Sequence, residues 1–208
     1  MVSRSLYRGV SLFLLIVLLA GCNSSPNQEI QETKQRTSPA EITLTPVDLF
    51  QGDAAKFRPF LGSMTGSFQL SYEGTKPNAR LEMEVWENGH PSSMGFMGDL
   101  FSSEDGEPKK VEVIITADSV STSKENKDLM IKMGAGSGVA AFTIPRDPKL
   151  TSEGILQYHE PHSFTADEPF YVWGIQATSS GMIQTADFSP ESLKQLEWGL
   201  LFKLNFEE

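Results

Sequence analysis

The chain has 208 residues, 39% of them hydrophobic, with a single cysteine and a formal net charge of −10. An acid-rich surface is a poor partner for nucleic acid or anionic lipid headgroups. One cysteine excludes an internal disulfide and any metal site built on several thiolates, so an exported domain must be held together by its core.

In chain order, residues 1–21 are built like a secretory signal. Arg4 and Arg8 form a short basic head, Val10 to Ala20 an apolar stretch with Ser11 as its one polar member, and the small Ala20 and Gly21 close it. The apolar stretch covers roughly 16 Å as a helix, against the roughly 30 Å of a membrane span. Leu19-Ala20-Gly21-Cys22 then resembles the lipobox of bacterial lipoproteins, an aliphatic residue and two small ones before the modified cysteine. The resemblance is confined to residues 1–22. It implies cleavage before Cys22, a thioether-linked diacylglycerol on Cys22 as the only attached group, and a lipid-anchored, extracytoplasmic position on the outer face of the cell membrane. In a cell with an outer membrane, Asn23 after the cysteine implies delivery there. Two acyl chains supply the two signals that stable anchoring takes. The alternative is an ordinary signal peptide with an incidental cysteine.

Residues 22–45 contain no aromatic side chain and are rich in Ser, Thr, Gln, Asn and Glu, with Pro26 and Pro39. Such a stretch buries too little apolar surface to offset its chain entropy, and a disordered polar tether is expected. The competing reading makes Glu41-Ile42-Thr43-Leu44 an added edge strand. Residues 46–208 hold 13 basic and 24 acidic residues, a net −11, and are expected to form one β-rich domain. Lipobox, tether and single β domain together resemble the small surface lipoproteins of Gram-positive bacteria.

Thr45-Pro46-Val47-Asp48 has a helix-start signature, a hydroxyl cap with proline at the first position and an acid three residues on, which predicts a short helix to about Gln51. From there the period becomes two. Phe68/Leu70/Tyr72, Leu81/Met83/Val85, Val111/Val113/Ile115, Leu129/Ile131/Met133, Ala140/Phe142/Ile144 and Trp198/Leu200/Phe202/Leu204/Phe206 all read as half-buried antiparallel strands. Asn88-Gly89 is a hairpin signal, and Gly74–Asn78 and Gly134–Gly138 are further turns. Pro169 to Ile175 is apolar on both faces, as a doubly covered central strand would be. Ser189-Pro190 begins a second helix, with Leu193 and Leu196 turned inward. About eight strands with one or two short helices predict an all-β, antiparallel β-sandwich, jelly-roll-like in one version, with a β-barrel as the alternative.

Chemistry-bearing clusters are few. His159-Glu160-Pro161-His162 with Asp167 and Glu168 is dense in metal-ligating types, and His159, His162 and Asp167 are the candidate ligands. It lacks the helical His-Glu-x-x-His spacing, and Pro161 would break such a helix. On a strand the two histidines would face opposite ways, so they could meet one ion only on a bent loop, and a solvated loop beside the central strand is the plainer reading. Gly134-Ala135-Gly136-Ser137-Gly138 leads into a strand, not a helix, and lacks the Gly-Lys-Ser/Thr of a phosphate loop. No Gly-x-Ser-x-Gly nucleophile elbow is present. Glu82 and Glu84 stand about 6–7 Å apart on one strand face, within glycosidase range, yet the alternation explains them as the water side of a sheet. Trp86, Tyr158 and Trp173 are candidates for a ligand-binding aromatic platform, against the plain alternative of core aromatics.

These features predict a membrane-anchored, non-enzymatic module that binds another envelope protein, a peptide or a glycan. The alternatives are an envelope hydrolase, metal-dependent or not, that uses the His159–Glu168 loop, and a structural accessory without a ligand.

Overall fold

The computed structural model describes residues 41–74, 78–101, 109–121, 127–183 and 187–206. The signal segment, Cys22, residues 22–40 of the expected tether and the centre of the Gly74–Asn78 turn lie outside the described residues. Two antiparallel sheets make up the domain. The first contains β1 (Glu41–Pro46), β2 (Thr65–Glu73), β5 (Lys109–Ser121), β6 (Lys127–Ala135), β7 (Gly138–Ile144) and β9 (His162–Thr165), in the order β7-β6-β5-β2-β1-β9. The second contains β3 (Ala79–Glu87), β4 (His90–Asp99), β8 (Ser152–Gln157), β10 (Phe170–Thr178) and β11 (Trp198–Phe206), in the order β4-β3-β11-β10-β8. Among the described residues helix is limited to a 3-10 turn (Gly52–Phe57) running into α1 (Arg58–Leu61), and to α2 (Pro190–Leu193). The expected sandwich is the fold. The two sheets stay separate, so the barrel alternative does not hold.

Alternation builds the core. Phe68, Leu70 and Tyr72 of β2 lie on one side with Val113 and Ile115 of β5 and Ile131 of β6. Leu81 of β3, Ile175 of β10 and Leu200, Phe202 and Leu204 of β11 meet them from the other sheet in one continuous cluster. Each such side chain contributes about 1.5–3 kcal/mol on full burial. The strand over Phe170–Thr178 is buried on both faces, as its unbroken apolar run predicts. Asn88 (φ 51°) and Gly89 (φ 76°) form the β3–β4 turn, the backbone pattern that favours Asn-Gly. This turn is also fastened to the chain behind α2. Asn88 N–H donates to the Glu197 carbonyl at 2.9 Å, and Gly89 N–H to the Leu196 carbonyl at 2.8 Å. A Cβ at position 89 would stand 2.2 Å from the Lys194 carbonyl oxygen, so glycine is needed there twice over.

Three expectations need correction. The domain begins by Glu41, not at residue 46. Ile42 and Leu44 are buried, and β1 pairs with β2 on one side and β9 on the other, an interior strand and not an added edge. The helix expected over Thr45–Gln51 does not form. Thr45 and Pro46 continue β1 opposite Gln69 and Phe68, and Val47 N–H extends the ladder to the Ser67 carbonyl. Asp48 Oδ1 accepts from Phe50 N–H at 2.9 Å, an Asx turn that takes the place of a capping box. The third concerns the number of strands: eleven stand among the described residues against about eight expected, weak alternation hiding β1, β8 and β9, the last of which places His162 in a sheet and not in a loop.

Candidate aromatic groove

The outer face of the five-stranded sheet carries the most unusual chemistry of the domain. On β3, Glu82, Glu84 and Trp86 point away from the core, opposite Lys203, Leu201 and Gly199 of β11. On β10 the register against β11 slips between Tyr171 and Trp173, a β-bulge with Val172 as the extra residue. The bulge changes the parity of the strand. Tyr171 faces outward beside Lys203, while Val172 and Trp173 both enter the core.

Glu84 is 4% exposed and is the hub of this face. Its Oε2 accepts from the Tyr171 hydroxyl at 2.6 Å and from Trp86 Nε1 at 3.1 Å, and its Oε1 accepts from Lys203 Nζ. Lys203 also pairs with Glu82 at 3.4 Å. Burial alone would raise the Glu84 pKa; the bonds from Lys203, Tyr171 and Trp86 overcome it and hold the carboxyl below its ordinary range. Burial alone would depress Lys203; its two carboxylate partners overcome it and keep the ammonium charged above its ordinary range. Burial and Glu84 together push the Tyr171 hydroxyl upward. The expectation that Glu82 and Glu84 form a solvated face is therefore wrong for Glu84, which is covered by the aromatic groups it binds.

Beside this hub lies an open groove of about 560 Å³. Rings follow one another along it: Trp86 meets Tyr171 edge-on at 6.3 Å, Tyr171 stacks on Phe188 at 6.0 Å, and Phe188 reaches Tyr158 at 5.3 Å. The row continues from Tyr158 to Phe164 at 5.5 Å and from Phe164 to Phe170 at 3.7 Å. Pro91, Pro169 and Pro190 complete the walls. Burial, then the charge of Asp187, raise the Tyr158 hydroxyl to about 12, so it is a neutral phenol at physiological pH. Asp187 itself is held at about 2 by bonds from Ser189 and Ser192, the groups that open α2. Ser189 Oγ accepts from Ser192 N–H at 3.3 Å, the N-cap read from the sequence, and Leu193 and Leu196 are buried as expected.

Of the three candidate platform aromatics, the groove takes Trp86 and Tyr158. Trp173 is excluded: it is 1% exposed and packs between the sheets, its indole nitrogen against Gly66, where a Cβ would approach within 1.9 Å. Tyr171, close to Tyr158 and Trp173 in the sequence, joins the site, as does Glu84 of the carboxylate pair, while Phe188 and Phe164 join it although nothing in the local pattern singles them out. The metal candidates are not assembled. His159 is exposed and lines a separate hollow with Asp48 and Ser67, His162 stacks on Tyr158 at 4.9 Å, and Asp167 lies in an exposed turn. Among the described residues no three His, Cys, Asp or Glu side chains are grouped to hold an ion. The chain matches no protein-family model, no curated protein and no solved structure.

Proposed function

We propose that the chain is a lipid-anchored binding module of the cell envelope, with Cys22 as the acylated residue and the aromatic groove as the seat of its ligand. The observation that carries this reading is the row of ring contacts from Trp86 to Phe170 along an open groove. Surfaces of this kind present large, rigid, apolar faces at low entropic cost, suited to an extended peptide or to the apolar face of a sugar. Trp86 and Tyr171 have their polar ends tied to Glu84, which fixes how their rings stand before any ligand arrives. Glu84 is held ionised by three donors, the condition of an anchor for neighbouring groups and not of a proton shuttle. Binding rather than catalysis is the function this favours.

The test is titration of the full chain with envelope glycan fragments and with peptides from envelope proteins, followed by tryptophan emission. A ligand that seats in the groove shifts the emission, and the shift disappears in Trp86→Phe. Tyr158→Ala should weaken the same ligand by about tenfold or more. A ligand whose affinity is indifferent to both substitutions would show that the groove is not its seat.

A further inference from the structure

The segment between β1 and β2 is held at its two ends, where Val47 N–H donates to the Ser67 carbonyl and the Met64 carbonyl accepts from Ala117 N–H. Its 3-10 turn and α1 bury no residue, and Phe57 and Phe60 are 51% and 81% exposed. Two cations lie against rings: Lys56 Nζ is 5.3 Å from the centre of Phe57, and the Arg58 guanidinium carbon is 5.0 Å from that of Phe50. From Leu49 to Gly62 the chain carries Lys56 and Arg58 against Asp53, a net +1, in a domain whose residues 46–208 sum to −11. Exposed phenylalanines beside long cationic side chains suit the headgroup layer of a bilayer, where rings enter the acyl boundary and charged ends stay with phosphate.

We propose that the tip formed by residues 49–62 docks on the lipid surface that carries the anchor, with Phe57 and Phe60 inserted and Lys56 and Arg58 at the phosphates. The proposal rests on the lipid-anchor part of the reading above and adds a second contact between domain and membrane. The reach is sufficient. Cys22 and Glu41 are separated by 18 residues, which span up to about 60 Å at full extension. The tip leaves the far end of β1, about 20 Å from the tether entry for a six-residue strand. A contact held so near its target by the chain itself needs little affinity of its own. Anionic headgroups repel the acidic remainder of the domain, and the cationic tip is the part that can face them.

The experiment uses the full chain, purified from membranes and reconstituted into vesicles of phosphatidylcholine and phosphatidylglycerol, with Trp at position 60 through Phe60→Trp. Phe60 is largely free of contacts, so the substitution leaves the fold alone. The additional emission of Phe60→Trp should fall by about half when the acyl chains are brominated and should be insensitive to aqueous iodide. If parent and variant both float with the vesicles but the new tryptophan is quenched by iodide and not by bromine, the anchor stands and the docking falls. Protection from both quenchers together with a doubled particle mass would assign the tip to a second copy of the chain and overturn the proposal. If neither protein floats, the anchor and the docking fall together.

Discussion

On the six-stranded sheet the outward positions Gln69, Glu112 and Lys132 stand in water, and the outward side chains that are buried, Ser67 and Thr116, are small. On the five-stranded sheet the same kind of position holds Glu84, Trp86, Tyr171 and Leu201, and there a second layer has formed. Leu156 and Leu201 are buried under Leu193 and Leu196 of the α2 region, with Trp86, Tyr171 and Phe188 packed alongside. A period of two specifies which side chains leave the inter-sheet core. Whether those side chains then reach water depends on what the chain lays over them, and here α2 and its approach are laid over one sheet only. The charge buried beneath that layer is tolerable because it is fully paired.

The contrast between the inner and outer faces can be broken in graded steps. Trp173→Ala should have the largest effect, about 3–5 kcal/mol lost in urea unfolding, because it empties a position between the sheets. Glu84→Ala should cost about 2–3 kcal/mol, less than a wholly orphaned charge, because Lys203 retains Glu82. A pH series on Glu84→Gln sharpens this. A carboxyl held below its ordinary value stabilises the fold above about pH 4.5 and loses that contribution as pH falls through its lowered value. The gap between parent and variant should therefore close on acidification, while Glu112→Gln on the wet face stays within about 0.5 kcal/mol throughout. Gly174→Ala tests the packing of the second layer itself. Its Cβ would stand 2.6 Å from Leu201 Cδ2 and 3.0 Å from the Leu200 carbonyl, and a loss of about 1–3 kcal/mol is expected by thermal melting. Ser189→Ala removes the cap that starts the covering helix and should cost about 1 kcal/mol. Equal losses for Trp173→Ala and Ser189→Ala would mean that the two layers are not distinct in strength.

The strands of β2, β3, β5, β6 and β11 were legible because each faces a wet or covered side with a different class of residue from the one it turns inward. β1 is legible only as an alternative to the tether, because only Ile42 and Leu44 mark it in a polar context that fits both. β4 is legible only as the second arm of the Asn88-Gly89 hairpin, because Pro91 and two register slips against β3 blur its period, as suits an edge strand that must not recruit another chain. At the groove, Trp86 and Tyr158 were readable as candidates. Trp173 misled because its neighbour Val172 is a bulge residue, and one extra residue reverses every side-chain direction beyond it. Glu84 looks identical to Glu82 in sequence; what separates them is Tyr171 arriving from 87 positions away.

The place of β1 also has a mechanical meaning. Six of its residues are registered against β2 and four against β9. Antiparallel ladder bonds lie across the strand direction. A pull on the N-terminus therefore loads those bonds together in shear, instead of opening them one at a time, and it does so on both flanks of the strand. β1 is a clamp rather than a loose end, and a force applied to the chain at Glu41 would be spread over the first sheet before it reached the groove.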